Sequence, residues 1–249
     1  MTNIASQLAK EFHIREHQVE NTLKLIDEGC TIPFIARYRK EATGGLDDAV
    51  LRDMHDRLLY IRGLEARREE IVHLIEDQDK LTPELRQEIE KARTMTELED
   101  LYRPFRPKRR TRATIAKEKG LEPLADILWN QDRKEGKAEE LAQSFVNSEM
   151  GVDTAGDALR FAMDILAERI SDDAEHRRFV REYTWNHGIL ETKAAKEESS
   201  VYEMYYDYSE AVKRIVPHRI LAINRGEAEK FLSVKIRLEE EEIIGRLSK

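Results

Sequence analysis

Hydrophobic residues recur along most of this chain at intervals of three and four positions, the spacing that places side chains on one face of an α-helix. Residues 4–28 contain two short runs of this kind, separated by a break at residues 13–15. The runs have the length and spacing of a helix-turn-helix pair. Any helical hairpin shares that pattern, so recognition of a DNA groove and plain packing are both open interpretations. The two apolar faces consist of Ile4, Leu8 and Phe12, and of Val19, Leu23 and Ile26.

A long helix is predicted from Leu46 to about Asp79. At a rise of ~1.5 Å per residue it would reach roughly 50 Å. Gly63, inside it, is expected to mark a kink or a close-packing point. A strut of this length predicts an extended scaffold rather than a closed catalytic pocket. Its apolar stripe comprises Leu51, Met54, Leu58, Ile61, Leu64, Ile71 and Ile75.

Helix boundaries are marked clearly in the next part of the chain. Thr82 followed by Pro83 predicts a helix start, and Thr96 with Glu99 predicts a capping box. The helix after Thr96 must stop before Pro104, and irregular backbone is expected to follow as far as residue 112. Further helices are predicted at 137–146, at 155–170 with a buried stripe, from 171 to a cap at Gly188, and from Pro217 with Leu221 on its apolar face. The expected stripe is Leu159, Met163, Leu166 and Ile170.

Strand signals are confined to the last quarter of the chain. The alternating run LSVKIRLEE, residues 232–240, is the best strand candidate, and a short strand is also expected after Gly188. A strand needs a partner, and none follows residue 240, so a truncated domain is expected to begin near residue 231. A tyrosine cluster between the two strand signals could stack on bases or anchor the packing. Its members are Tyr202, Tyr205, Tyr206 and Tyr208.

These patterns predict a mainly α fold: an elongated multi-helix assembly with a helix-turn-helix-like N-terminus and at most a small β element near the C-terminus. Three regions are expected. Residues 1–80 form the helix-turn-helix-like region with the long helix, 81–230 form a helical region, and 231–249 start the truncated domain.

Composition narrows the function classes. Charged residues make up 37% of the chain and hydrophobic residues 40%, with 11 Gly and 6 Pro among 249 residues, which is typical of solvent-rich helices rather than of a compact α/β enzyme. No apolar run is long enough for a membrane span, and the start of the chain lacks the layout of a signal peptide. The lone Cys30 fits a reducing compartment. A cytoplasmic protein without membrane contact is expected.

The charge distribution is polarised. The net charge is −8, yet residues 103–119, hereafter the basic segment, hold a single acid, Glu118. Such a segment commonly faces phosphate or an acidic partner. Alternatively, its cations pair with acids of the same chain such as Glu97, Asp100 and Asp126. The basic residues are Arg103, Arg106, Lys108, Arg109, Arg110, Arg112, Lys117 and Lys119.

Arg37, Arg39 and Lys40 form a second basic cluster around Tyr38. It could contact nucleic acid, or its charges could form local ion pairs with Glu41, Asp47 and Asp48.

Motifs for catalysis are missing from the sequence. No H-E-x-x-H, G-x-S-x-G or phosphate-binding P-loop occurs, and His13 and His17 lack a third metal ligand nearby. The sequence therefore predicts a protein that is not an enzyme and needs no cofactor or metal.

Three stretches resemble a known family, the bacterial Tex transcription accessory proteins, which share a core with the eukaryotic elongation factor Spt6. They are TIPFIARYRKEATGGLDD at 31–48, EDLYRPFRPKRRTRATIAKEKGLEPLA at 99–125 and YYDYSEAVKRIVPHRILAINRGE at 205–227. The resemblance implies an N-terminal helical region, followed in full-length members by a ribonuclease-H-like YqgF domain, helix-hairpin-helix elements and an S1 domain. It also implies nucleic-acid binding in transcription.

Two functions follow as hypotheses. In the first, the basic segment and the Arg37, Arg39 and Lys40 cluster contact RNA or DNA phosphates without reading sequence. In the second, the chain is a scaffold arm that docks RNA polymerase or positions the C-terminal domains of the full-length protein. The predicted site residues are Arg103, Arg106, Lys108, Arg109, Arg110, Arg112, Lys117, Arg37, Arg39 and Lys40.

Overall fold

The computed structural model of the chain describes residues 4–131, 137–196 and 198–248. These residues divide into two compact units, the first ending at Tyr102 and the second beginning at Arg103. Each unit has a hydrophobic core of its own. The prediction of a mainly α fold with a small β element near the C-terminus is confirmed.

The first unit is built around one long helix. The helices are α1 (Ile4–Phe12), α2 (Glu16–Asp27), α3 (Ile32–Tyr38), α4 (Asp48–Glu76), α5 (Pro83–Lys91) and α6 (Met95–Tyr102). At ~1.5 Å per residue, α4 extends about 43 Å. Its seven predicted apolar residues are its buried residues, so the predicted stripe is confirmed. A methyl group at Gly63 would meet open space, so the expectation of close packing there is wrong.

Arginines on α4 tie the first two helices to it. Arg57 holds Glu11 of α1 through two hydrogen bonds of 2.6 and 2.8 Å, and Arg62 holds Asp27 of α2 at 2.7 and 2.9 Å. The hydrogen bonds from Arg57 lower the pKa of Glu11 to about 2, against the opposing effect of burial. The charged face of α4 therefore orients α1 and α2, whose apolar faces supply the core.

The next arginines along α4 hold the helices that follow it. Arg67 donates to the Glu99 carboxylate of α6 at 2.6 Å. Arg68 is mostly buried and donates to the carbonyl oxygens of Ile89 and Ala92 at 3.0 and 2.7 Å, at the end of α5. Those carbonyls have no partner within their own helix, so Arg68 satisfies them.

The helix starts are partly as predicted. Thr82 caps α5, with its hydroxyl accepting from the backbone N–H of Leu85 at 3.2 Å. The predicted capping box at Thr96 is wrong, because Thr94 caps α6 two residues earlier. There the Glu97 carboxylate accepts from the backbone N–H of Thr94 at 3.2 Å, which completes the box.

The second unit has two cores. Its helices are α7 (Arg112–Glu118), α8 (Glu122–Asn130), α9 (Ala138–Gln143), α10 (Ala155–Asp172), α11 (Ala174–His187), α12 (Pro217–Ala228) and α13 (Glu240–Leu247), and its strands are β1 (Ile189–Ala194), β2 (Asp207–Ala211) and β3 (Leu232–Arg237). One core forms where α7, α8 and α9 pack on α10, and the other lies between α12 and the sheet.

The buried face of α10 matches the predicted stripe only in part. Leu159 and Leu166 pack against the core as predicted, but the fully buried residues are Ala158, Ala162 and Ile165, and Met163 is 64% exposed. Small alanine side chains allow the neighbouring helices to approach closely, and they carry little weight in a pattern read from large apolar residues. Leu221 of α12 is likewise 70% exposed, so its predicted place on a buried face is wrong.

The sheet supplies the partner that β3 was expected to lack. The strand order is β2-β1-β3, and both pairs are antiparallel, with Ile189 opposite Ala211 on one side and Arg237 on the other. The argument for a truncated domain that rested on an unpaired strand therefore fails. The short strand expected after Gly188 is confirmed as β1. The strand β2 was not predicted, because it is short and rich in charged residues.

Candidate nucleic-acid interface

The basic segment begins the second unit, and its backbone is set by prolines and a helix cap. A 3-10 turn spans Arg103–Phe105, and the residues from there to α7 lie outside helices and strands. Pro104 and Pro107 have no backbone donor with which to continue a helix. Thr111 then caps α7, with its hydroxyl accepting from a backbone N–H of the first turn at 3.0 Å. The predicted irregular stretch is confirmed.

Two of the predicted site residues are held by acids of α10. Arg103 donates to Asp172 at 3.0 Å, and Lys108 forms an ion pair with the other oxygen of the same carboxylate. Lys108 also lies 3.3 Å from a Glu168 carboxylate oxygen. Asp172 is buried, so this pairing compensates a charge that would otherwise be costly. Arg103 and Lys108 thus fix the segment to α10 and have less capacity to meet a ligand.

Three other arginines of the segment are exposed and have no ion-pair partner among the described residues. Arg106, Arg109 and Arg112 are exposed. Among the residues that the structure describes, no carboxylate lies within ion-pair distance of any of these three. Guanidinium groups left free on an anchored backbone are suited to bidentate hydrogen bonds with phosphate.

The remaining predicted cations of the segment form loose surface pairs. Arg110 lies 3.4 Å from Glu118, and Lys117 lies 3.0 Å from Glu122, with all four side chains well exposed. Exposed pairs of this kind contribute little free energy. Arg110 and Lys117 can therefore exchange these partners for phosphate at small cost.

A further cation, missed from the sequence, adjoins the segment. Arg160 of α10 lies with Arg112 along a cavity of about 280 Å³, beside the ring of Phe161. Lys119, in contrast, is engaged within the second unit, because it donates to the carbonyl oxygen of Gly151 at 3.2 Å. Arg160 is a single arginine within an amphipathic helix, and nothing in the sequence around it indicates that it lies near Arg112.

The acids that were expected to pair with the basic segment occupy other positions in the fold. Glu97 completes the cap of α6, and Asp126 accepts from Arg169 at 2.6 Å. Asp100 is buried within α6. The expected pairing of the segment with Glu97 and Asp126 is therefore wrong; Asp172 and Glu168, distant in sequence, take that place.

The second basic cluster lies on and just after α3. Arg37, Arg39 and Lys40 are exposed, and Phe34 and Tyr38 form an aromatic pair with ring centroids 5.3 Å apart. The Arg39 guanidinium lies over the Phe34 ring, 5.3 Å from its centroid. Cations and aromatic rings are thus interleaved on one exposed surface.

The local acids do not neutralise this cluster. Asp47 caps α4, accepting from the backbone N–H of Val50 at 2.8 Å, and Asp48 pairs with Arg52 at 2.5 Å. The ion pairs predicted with these two acids are therefore wrong. Glu41 is exposed beside the cluster.

Side chains of α2 hold the loop that follows the cluster. Gln18 donates to the carbonyl oxygens of Thr43 and Gly44 at 3.0 and 3.2 Å, and Asn21 donates to Ala42 at 2.9 Å. Gly44 has a φ of +65°, a conformation that favours glycine. The helix α2 has no comparable basic character, because it carries three acids, Glu16, Glu20 and Asp27, against one lysine.

The tyrosine cluster is a packing anchor. Tyr202 and Tyr205 are buried with Ile223 of α12 and Leu232 of β3, which confirms the packing interpretation. Nothing in the described ranges groups three or more His, Cys, Asp or Glu side chains for a metal ion. Nor does any helix described here have the length and apolar character to cross a membrane.

Comparison with known proteins identifies the family of this chain. The family model for the Tex-like protein N-terminal domain matches residues 2–76, and the Tex central region-like model matches residues 133–247. The second match includes β3 and α13. The chain belongs to the Tex family, as the resemblance of its three sequence stretches predicted.

Individual relatives support this assignment. The chain is 45% identical over 239 residues to Protein tex of Bordetella pertussis, covering 95% of this chain and 30% of that protein. It is 41% identical over 238 residues to Transcriptional accessory protein Tex of Neisseria gonorrhoeae, covering 94% and 31%. It is also 30% identical over 247 residues to S1 RNA-binding domain-containing protein 1 of Pongo abelii, covering 95% and 24%. The chain spans about a third of the length of the bacterial relatives.

Proposed function

We propose that this chain contributes sequence-independent phosphate contacts to nucleic-acid binding by a Tex-like transcription accessory protein in the cytoplasm. One observation carries the proposal: Arg106, Arg109 and Arg112 are exposed and have no described carboxylate partner. They extend from a segment whose backbone is anchored through Lys108 to Asp172. The cations are therefore held in place before a ligand arrives, which lowers the entropic cost of binding.

The contacts are expected to go to the nucleic-acid backbone. Phosphate contacts position a protein on nucleic acid without reading its sequence. The basic segment is irregular before the short α7, and it offers no long helix to enter a major groove. A groove-reading role for α2 is disfavoured because the helix carries three acids against one lysine.

Names of relatives supply the biological setting of the proposal. One relative is named a transcriptional accessory protein and another an S1 RNA-binding domain-containing protein. Either RNA or DNA fits phosphate recognition. The proposal is for a binding protein that is not an enzyme and uses no cofactor, in line with the lack of catalytic motifs in the sequence.

A scaffold role is the second candidate, and the inward-facing cations favour it. Arg103 and Lys108 act on Asp172 within the same unit, so part of the segment serves to hold the fold. In this alternative the outer arginines dock RNA polymerase, or position further domains of a longer protein, without direct contact to nucleic acid.

The test is a salt titration of binding. Single-stranded RNA and duplex DNA are titrated with the wild type and with an Arg109→Ala, Arg110→Ala, Arg112→Ala variant at several salt concentrations. We expect wild-type affinity to fall as salt rises, and the variant to be weaker with a shallower slope, by about 0.9 for each duplex phosphate that it no longer neutralises. The control variant, Arg52→Ala, Arg62→Ala, Arg86→Ala, removes the same charge from surface ion pairs of the first unit.

The outcomes separate the two candidates. Binding by the wild type and the control, with weaker binding by the first variant, supports phosphate recognition by the basic segment. Equal weakening in both variants would mean that net charge alone matters. No binding by the wild type at low salt would overturn the proposal and leave the scaffold role.

A further inference from the structure

We propose that the exposed face of α3 stacks an unpaired base on Tyr38 while the neighbouring cations hold the adjacent phosphates. This inference rests on the proposed function and assigns it a second site, specific for single strands, in the first unit. Tyr38 is 66% exposed, more than any other large hydrophobic side chain described in the first unit.

The geometry of the ring pair supports stacking. Phe34 precedes Tyr38 by one helical turn, and the two rings are inclined at 44° with centroids 5.3 Å apart. The Arg39 guanidinium lies over the Phe34 ring, so Tyr38 is the ring of the pair with no described cation over it. Tyr38 is the more exposed ring, and every base offers a π-face to such a platform.

The charge around the rings selects the class of ligand. Arg37 and Lys40 flank Tyr38 in sequence, are exposed, and have no ion-pair partner in the described part of the chain. Of the acids that follow them, Asp47 is engaged in a helix cap and Asp48 with Arg52, and Glu41 is exposed without an ion pair in the described part of the chain. Two exposed cations near an exposed ring fit the alternation of base and phosphate in a single strand.

The backbone that carries the platform is anchored. Ile35, three residues before Tyr38 on α3, is fully buried in the core of the first unit and fixes the helix there. The loop after Lys40 is held by hydrogen bonds from Gln18 and Asn21. A base that stacks on Tyr38 loses conformational entropy of its own, but little additional entropy is lost by the protein backbone.

The test uses three DNA probes of equal length: single-stranded oligothymidine, an abasic strand with the same phosphates, and a duplex. We expect Tyr38→Ala to weaken oligothymidine binding by roughly five- to a hundredfold, with little change for the abasic strand or the duplex. Its salt slope should match that of the wild type, since the phosphate contacts persist. Tyr38→Phe keeps the ring and should bind all three probes like the wild type.

An Arg37→Ala, Lys40→Ala variant is the matched control for charge, and it should weaken the single strand and the abasic strand alike with a shallower slope. Thermal unfolding of each variant verifies that the first unit is folded, as expected for exposed positions. If Tyr38→Ala binds all three probes like the wild type, the stacking site is overturned, the phosphate proposal stands, and this face is left for a protein partner. If the wild type binds none of the probes, both proposals fail.

Discussion

Lys108 forms an ion pair with Asp172, which lies at the C-terminal end of α10. A carboxylate at that end of a helix is unfavourable on its own, because the helix dipole places partial negative charge there. The positive charges of Lys108 and Arg103 compensate both the Asp172 carboxylate and the partial negative charge at the end of α10. The basic segment therefore has an inner side that holds the fold and an outer side, around Arg109, that faces solvent.

The first prediction separates the two sides of the segment. Lys108→Ala leaves the buried Asp172 carboxylate with Arg103 as its remaining described ion-pair partner and should lower the free energy of unfolding by about 1–3 kcal/mol. Arg109→Ala removes an exposed side chain and should change that free energy by less than about 0.5 kcal/mol. Urea unfolding measures both. Equal stability of the two variants would contradict the proposal that Lys108 holds the fold while Arg109 only faces solvent.

Sequence alone predicted the first unit best at α4, which is long and strongly periodic. The apolar residues of α4 recur at steps of three or four, except between Leu64 and Ile71, so each buried position could be named in advance. Capping signals were less decisive. Thr94 and Thr96 each precede a glutamate by three residues, and the structure uses Thr94 because Glu99 is bound by Arg67.

The candidate site was predictable in composition but not in arrangement. Charge density located the basic segment, since a run of cations within an acidic chain is visible without a fold. Which cations are free depends on Asp172 and Glu168, acids brought near only by the packing of α7 on α10. Likewise, the pairing of β3 with β1 joins strands far apart in sequence, and no local pattern encodes such a pair.

A second prediction concerns two helical glycines. Gly63→Ala should stabilise the protein by about 0.5–1 kcal/mol, because alanine favours the helix and the new methyl group enters open space. Gly226→Ala in α12 is the contrasting control. There the methyl group would lie 2.7 Å from the Leu232 side chain and 3.2 Å from the Tyr202 ring, so destabilisation is expected. Chemical unfolding of the two variants should show changes of opposite sign.

The loop after α3 gives a third prediction. Gly44→Ala should destabilise the first unit by about 2–3 kcal/mol, because alanine is strained at positive φ and its methyl group would lie 2.6 Å from the Gln18 amide nitrogen. Gly45→Ala has a similar backbone conformation but open space, and should cost only the strain of about 1–2 kcal/mol. Adding Gln18→Ala to each variant tests the contact between the new methyl group and Gln18, through the coupling free energy of the double mutant. If Gln18→Ala couples with Gly45→Ala as strongly as with Gly44→Ala, that contact does not explain the destabilisation.

The last prediction is a pH dependence in the first unit. The pKa of Glu11 is lowered from its ordinary 4.5 to about 2 by hydrogen bonds from Arg57. A lowered pKa in the folded state means that the pair stabilises the fold fully above about pH 4.5 and that this stabilisation is lost as the pH falls toward 2. Because both side chains are about a third exposed, we expect no more than about 1 kcal/mol.

Arg57→Leu should therefore be less stable than the wild type at pH 7, and the difference should disappear as the pH approaches 2. Arg57→Lys keeps the charge but not the bidentate geometry, so its deficit at pH 7 should be intermediate. Urea unfolding across this pH range measures the differences, and NMR titration of the Glu11 carboxyl carbon reports its pKa directly. A deficit in Arg57→Leu that stays constant from pH 7 to pH 2 would assign the effect to weaker packing of the arginine stem against Tyr60, whose ring lies 5.1 Å from the guanidinium, instead of to the ion pair.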